Sequence, residues 1–252
     1  LLALMLKLPI LVADVLCAFV IWSIVADRRG RGDGALAAAF WLLNPYVLLT
    51  GEMQGSIELI PVTLTVLAIF LFQKKRVSLG SLVLALGVAL KLFPIVLMPA
   101  VSIYYLKLRK FREFLMISVG VFCGLVLYVL WISSYGLDFV GSLLLYTPFT
   151  TVASEFALSP HASTIGLAAV SALAFCFALY MYWDPRHENL FDVVLGFLLA
   201  YMAFYDWAPQ YLLWLIPFMT VDFLVWGKGR RLYFVVLLIS AFFFSLVEFE
   251  FA

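Results

Sequence analysis

Ten apolar runs, separated by short polar stretches, set the fold of this chain more than any other feature. They cover residues 9–25, 35–50, 57–72, 79–90, 93–106, 114–132, 163–183, 190–205, 211–226 and 232–247. Such runs are typical of helices inside a membrane. Charged residues make up only 12% of the 252 residues, about half the share found in soluble domains. The sequence therefore predicts an all-α, polytopic integral membrane protein and excludes a disordered or nucleic-acid-binding one.

The basic residues indicate how the runs are oriented. Lysine and arginine gather on the cytoplasmic side of membrane proteins. Of the 16 here, 14 form clusters that are separated from one another by an even number of runs, at 28–31, 74–76, 107–112, 228–231 and Arg186. All of these clusters therefore fall on one side. The other two, Lys7 and Lys91, lie near the opposite, outer face, and we expect the chemistry there.

Two consecutive runs are too short to cross a bilayer. Residues 79–90 and 93–106 would form helices of roughly 18 and 21 Å, whereas the hydrocarbon core is about 30 Å thick. Lys91 and Pro94 stand where the chain reverses, and proline disfavours helical geometry in the residue before it. Non-helical backbone at that depth must face protein or a watery cavity. We therefore expect short, broken helices around a cavity that opens outward, with Lys91 at the tip of a hairpin.

Lys91 is the most informative candidate for chemistry. A lysine in apolar sequence is costly and marks a functional site, and its ammonium suits a phosphate. The alternative is a lysine that snorkels to the headgroups. Lys7, near the same face, is a second candidate ligand for a phosphate.

Other polar candidates lie in the two outer turns. Glu52 and Glu58 flank the first turn, where either could bind sugar hydroxyls or act as a base; the alternatives are a solvated carboxylate or, for Glu58, a helix cap. Asp206, Gln210 and Tyr211 occupy a later turn whose acid, amide and aromatic groups suit carbohydrate, although aromatic residues also anchor proteins at the membrane interface.

Two further polar residues have a structural interpretation. Asp14 lies in mid-run, where we expect it to face the bundle interior as a functional group or an anchor between helices. Asn44 precedes Pro45, which would break the helix and leave free carbonyls. Residues 1–6 are interpreted as the tail of an earlier element, with Pro9 in the first turn of a helix.

The sequence has no P-loop, no dinucleotide-binding pattern, no Ser/His/Asp arrangement and no Cys/His metal motif. It therefore predicts no nucleotide and no metal-ligating residues. A sugar donor carried on a lipid would not need a nucleotide site.

Four short motifs resemble a known family. They are Lys7-Leu-Pro with Asp14, Phe40-Trp-Leu-Leu-Asn-Pro45, Ala89-Leu-Lys-Leu-Phe-Pro94 and Pro209-Gln-Tyr-Leu-Leu-Trp214. In this order they are similar to the catalytic subunit of GPI mannosyltransferase I and to prokaryotic multi-pass mannosyltransferases. The resemblance implies a C-type membrane glycosyltransferase of the endoplasmic reticulum or the prokaryotic plasma membrane.

That family implies both the reaction and its partners. A sugar, mannose in the nearest members, passes from a polyprenyl- or dolichyl-phosphate carrier to a lipid-linked or membrane-bound acceptor on the outer face. Membrane lipids and a small membrane subunit are further expected partners. No cofactor is required, although some relatives bind a divalent metal. The family's catalytic base lies in an outer loop upstream of the Lys7 helix, so we expect that loop and its helices to precede this single transmembrane domain of residues 1–252.

Some residues depart from the family pattern. Only Glu58 remains of the acidic outer turn, and Tyr146 is followed by Thr147 and Pro148 where relatives have a Tyr-His-x-x-Arg element. Tyr146 is kept as a candidate contact to the sugar or acceptor. Two other functions stay open: a secondary transporter or lipid flippase, because broken helices and an intramembrane lysine also suit transport, and a non-catalytic subunit.

Overall fold

The computed structural model describes residues 2–53, 55–134, 190–204 and 209–226, and every regular element among them is helical. In chain order the α-helices are α1 Leu2–Arg29, α2 Arg31–Leu42, α3 Pro45–Val47, α4 Leu59–Gln73, α5 Val77–Leu90, α6 Met98–Lys107, α7 Phe111–Ser133, α8 Leu190–Phe204 and α9 Ile216–Trp226. The all-α prediction is confirmed for these residues. The runs 163–183 and 232–247 lie outside them, so the count of ten runs and the outward cavity stay predictions.

The chain divides into two compact units, and the boundary falls inside α5. The first unit combines Leu1–Val83 with Ala208–Ala252, and the second is Leu84–Trp207. The first unit is therefore built from both ends of the sequence.

A tight helical hairpin of α1 and α2 forms the centre of the first unit. Gly30 separates the two helices with a φ of 101°, a conformation that glycine adopts at little cost. Gly34 then lies so close to α1 that an added Cβ would be 2.8 Å from the Cβ of Ala26. Arg28 and Arg29 lie in the last turn of α1, where cations interact favourably with the helix dipole.

The start of α1 differs from the sequence prediction. Residues 2–6 belong to α1 itself rather than to an earlier element, and Pro9 lies inside the helix rather than in its first turn. Proline removes one backbone hydrogen bond, but membrane helices tolerate it because neighbouring groups can satisfy the freed carbonyl. The apolar pattern therefore continues through Pro9.

The second predicted run is broken at Asn44-Pro45, as the sequence predicts. The Asn44 side chain accepts a hydrogen bond from the Tyr46 N–H at 2.9 Å and so caps α3. The helical axis bends by 41° at this break. A π-helix, Leu48–Met53, continues the chain into the first outer turn.

In the first unit, three helix ends lie close together on the predicted inner side. Lys74, just after α4, forms an ion pair with Asp27 of α1. The Arg29 guanidinium donates to the Val225 carbonyl near the end of α9, with Nε at 2.8 Å. The ends of α1, α4 and α9 therefore lie at the same end of the unit, and the Gly55–Glu58 turn that precedes α4 lies at the other.

The second unit contains the interrupted pair of short helices. After α5, Lys91 and Leu92 are non-helical, and a 3-10 segment, Phe93–Leu97, leads into α6. α8 packs against this segment and against α6. The break at Lys91 is thus where the sequence predicts it.

Close packing of α7 on α5 depends on Gly124. A Cβ at this position would lie 2.9 Å from the Cβ of Val88 and 3.0 Å from the Cα of Ala85. Small residues allow such approach between membrane helices. Gly80 of α5 also allows close packing, because a Cβ added there would lie 2.6 Å from the Phe72 ring.

Replacing Gly124 by alanine therefore forces α7 away from α5. Overpacking of this kind costs about 1–3 kcal/mol, so the apparent melting temperature in detergent falls by roughly 2–12 °C. Gly32→Ala is the matched control, because no atom lies within 4 Å of a Cβ added there. Equal melting temperatures for the two variants would contradict the packing account.

Two helices in the described part of the chain have the length and apolar character to cross a membrane, Lys7–Arg29 and Phe111–Ser133. The bent pair Arg31–Leu42 and Pro45–Gly51 makes a third if it counts as one span. On α7, Val119, Phe122 and Leu130 are each more than 60% exposed, and large exposed apolar faces mark contact with lipid or another protein. The chain is an integral membrane protein.

Candidate functional site

The turn before α4 brings Lys7 and Glu58 into one region of the first unit. Gly55 has a φ of 69°, and the Lys7 Cε lies 3.8 Å from the position of a Cβ added there. Lys7 therefore packs across the backbone of the turn, three residues before Glu58. The turn is itself held in place, because the Ser56 N–H donates to the Thr50 carbonyl at 3.1 Å.

Glu58 makes a long-range hydrogen bond that links two of the sequence motifs. The Trp214 indole Nε1 donates to Glu58 Oε2 at 3.1 Å. The side chains are 3% and 5% exposed, respectively. The first outer turn and the Pro209–Trp214 segment, a 3-10 helix, are thus joined through a buried carboxylate.

Glu58 lies at the start of α4, as its capping alternative places it, but it does not cap the helix through a side-chain hydrogen bond. Its own backbone N–H donates instead to the Ser56 hydroxyl at 3.3 Å, a local turn that serine favours. The carboxylate is therefore directed to Trp214 rather than to the amide groups of its own helix.

Asp14 anchors helices to one another, as one of its two interpretations predicts. Its Oδ1 accepts a hydrogen bond from the Trp41 indole at 2.6 Å, and its side chain is 6% exposed. One residue earlier, the Ala13 carbonyl accepts from the Thr63 hydroxyl of α4 at 3.0 Å. These bonds fix α1 against α2 and α4 near the middle of α1. Asn44 is likewise architectural in the structure, since its buried side chain caps α3.

Lys91 belongs to the second unit, whereas Lys7 and Glu58 belong to the first. Its side chain is half-buried, and its backbone N–H closes the last turn of α5 on the Gly87 carbonyl at 3.0 Å. The following Phe93 and Pro94 are buried. Lys91 is therefore held at a structured helix break.

The remaining candidates are described in part or not at all. Glu52 lies in the π-helix, and Gln210 and Tyr211 lie in the 3-10 segment before α9, with only their backbone described. Asp206 and Tyr146 lie outside the described residues. No group of three or more His, Cys, Asp or Glu side chains with metal-binding geometry occurs in the part of the chain that the structure covers.

Trp214 is the site residue that sequence reasoning missed. It ends the Pro-Gln-Tyr-x-x-Trp motif, which was read as a family signature without a role for the indole. A buried tryptophan needs a partner for its N–H, and a carboxylate in an outer turn was available. That complementarity is the signal that could have paired the two residues.

Comparison with known proteins places these motifs in a GPI context. The family model described as GPI transamidase subunit PIG-U matches residues 2–154, more than half of the chain. GPI mannosyltransferase 1 of Saccharomyces cerevisiae is 23% identical over 256 residues, covering 88% of this chain and 62% of that protein. The Kluyveromyces lactis protein of the same name is 25% identical over 245 residues, covering 85% and 61%.

The likeness predicted from the sequence is confirmed by these relatives. GPI mannosyltransferase 1 of Schizosaccharomyces pombe matches more locally, at 27% identity over 104 residues, 41% of this chain and 28% of that protein. The chain thus spans less than two thirds of the length of the curated relatives it matches. No solved structure matches it significantly. The match over residues 2–154 shows that the chain belongs to the family of GPI transamidase subunit PIG-U.

Proposed function

We propose that this chain is the membrane-embedded part of a glycosyltransferase of GPI synthesis. It moves mannose from a polyprenyl- or dolichyl-phosphate carrier to a GPI-type glycolipid on the outer or lumenal face. The observation that carries this proposal is the similarity to two proteins named GPI mannosyltransferase 1 over 85% and 88% of the chain. That similarity extends well beyond the residues matched by the family model.

The chemistry of the step fits the charged residues of the chain. The acceptor hydroxyl oxygen forms a bond to the sugar carbon as the bond from that carbon to the phosphate oxygen breaks. The proton goes to a carboxylate base, and the phosphate leaves with the electron pair. Lys91 is suited to bind that phosphate, because a cation placed in advance stabilises the growing negative charge in the transition state. Lys7 is a separate candidate for this role within the first unit.

Glu58 supplies a different function in this proposal. Sugar hydroxyls need directional acceptors, and a carboxylate can accept several hydrogen bonds. Lys7 approaches the same turn at Gly55, three residues before Glu58, and this favours contact of Glu58 with the sugar or acceptor. Gln210, Tyr211, Asp206, Glu52 and Tyr146 remain proposed contacts of the same kind.

The family description favours a second candidate function. A subunit of a GPI-handling complex would bind a GPI-type glycolipid without transferring a sugar to it. Both candidates place the same glycolipid class against this chain, and they differ in whether a polyprenyl-phosphate donor is consumed.

Membranes containing the full-length protein, with any subunit that copurifies, decide between the two. We expect radiolabelled mannose to pass from polyprenyl-phosphate mannose to a GPI-type glycolipid, with no transfer from a nucleotide sugar alone. Membranes that lack the protein serve as the control. Absence of transfer, together with retention of the glycolipid by the purified protein, would overturn the transferase and support the subunit.

A further inference from the structure

Trp214 holds Glu58 by a hydrogen bond that has one direction only. An indole N–H can only donate, and an ionised carboxylate can only accept. The two atoms lie 3.1 Å apart, and both side chains are buried. Burial strengthens such a hydrogen bond, because the surroundings have a low dielectric constant. The bond therefore fixes where the Glu58 carboxylate points.

The segment that contains Trp214 is held by neighbouring helices. The 3-10 segment that ends at Trp214 runs into α9, which packs on the α1–α2 hairpin. Phe223 of α9 meets Phe40 edge to face with ring centroids 5.6 Å apart. The far end of α9 is held by Arg29 at the Val225 carbonyl. The segment that carries the indole is therefore continuous with a helix that packs on the α1–α2 hairpin.

A purely structural explanation accounts poorly for this pair. Glu58 stands at the start of α4, where its carboxylate could cap the helix, yet it makes no such bond. Apolar side chains of similar volume would join the two segments at no cost in desolvation. A carboxylate that accepts from a distant indole without capping its own helix, in a turn that Lys7 approaches at Gly55, fits a group that is positioned for a ligand.

We propose that Trp214 is a positioning residue that orients the Glu58 carboxylate toward hydroxyl groups of the sugar or glycolipid acceptor. This proposal rests on the proposed function for its activity readout. Trp214 itself acts through Glu58 and touches no reacting atom.

A double-mutant cycle tests the proposal in membranes containing the full-length protein. Trp214→Phe removes the indole N–H and keeps an aromatic ring, and Glu58→Gln removes the charge and keeps the shape. We expect each change to lower kcat/KM for mannose transfer by about 10–100-fold. The kcat/KM of the double variant should be no lower than that of the less active single variant. Trp22→Phe, elsewhere in the first unit, is the matched control and should leave transfer within about twofold. Losses that multiply in the double variant would overturn the proposal, because a structural tryptophan acts independently of the Glu58 charge.

A spectroscopic measurement separates this proposal from the proposed function. In the detergent-solubilised, ¹⁵N-indole-labelled protein, the resonance lost in Trp214→Phe identifies the Trp214 indole. That resonance should shift in Glu58→Gln and stay in place in Lys75→Ala. If the wild-type protein transfers no mannose, affinity for the GPI-type glycolipid replaces kcat/KM in the same cycle. An unmoved resonance would overturn the proposal whichever function is correct. If the protein transfers no mannose, unchanged glycolipid affinity in both single variants would overturn it as well.

Discussion

Replacing Lys91 by alanine is expected to abolish sugar transfer while the protein still accumulates in membranes. The proposed reaction builds negative charge on the leaving phosphate, and loss of one preorganised charge partner typically lowers the rate by a factor of about 100 or more. Folding should survive, because Lys91 is half-buried at a helix break and alanine keeps the backbone hydrogen bond to Gly87. Transfer from polyprenyl-phosphate mannose measures the effect, and immunoblotting of the membranes measures accumulation.

Two further variants isolate the charge at this position. Lys91→Arg keeps a cation with different geometry and should retain part of the activity. Lys75→Ala removes an exposed lysine from the turn after α4, on the predicted inner side, and should leave transfer unchanged. Normal transfer by Lys91→Ala would remove Lys91 from the mechanism and leave the snorkelling alternative.

Replacing Trp41 by phenylalanine is expected to cause a large loss of stability. The change removes the indole that donates to the buried Asp14 carboxylate at 2.6 Å. Loss of one partner of a buried polar group costs about 1–3 kcal/mol, and more when the group is charged. The apparent melting temperature in detergent should therefore fall by at least roughly 2–12 °C, as followed by fluorescence-detected size exclusion after heating.

The double variant Asp14→Leu with Trp41→Phe tests the cause of that loss. Removing both polar partners is much less costly than removing one, so the double variant should recover most of the melting temperature. Asp14→Asn keeps an acceptor for the indole and should be milder than Trp41→Phe. A double variant less stable than Trp41→Phe alone would show that Asp14 stabilises the helices by contacts other than the indole.

Local chemistry allowed the breaks in the fold to be predicted. Proline and its preceding residue have restricted backbone angles, so Asn44-Pro45 and the Lys91–Pro94 stretch could be recognised as interruptions. The basic turn after α4 was also recognisable, and its contact with the end of α1 agrees with the charge pattern, which places both basic clusters on one side. These features depend on a few neighbouring residues.

The pairing of distant side chains could not be predicted from such local features. Asp14 was expected to face the interior, but nothing near it in the sequence selects Trp41 as its donor. Glu58 and Trp214 were each noticed, yet their contact depends on how both ends of the chain pack into one unit. The sequence predicts Pro9 in the first turn of a helix, but it lies inside α1. Here the local preference of proline for a first turn is overridden, because surrounding helices stabilise α1.

The first unit combines both ends of the chain, and this has a consequence for biosynthesis. Trp214 is made 156 residues after Glu58, which at about 5–20 residues per second takes roughly 10–30 s. During that interval the early helices enter the membrane before the indole for Glu58 and the carbonyl for Arg29 exist. A ribosome that stalls ahead of residue 214 therefore releases a chain whose outer-turn carboxylate lacks its indole partner, and this unit becomes complete only late in translation.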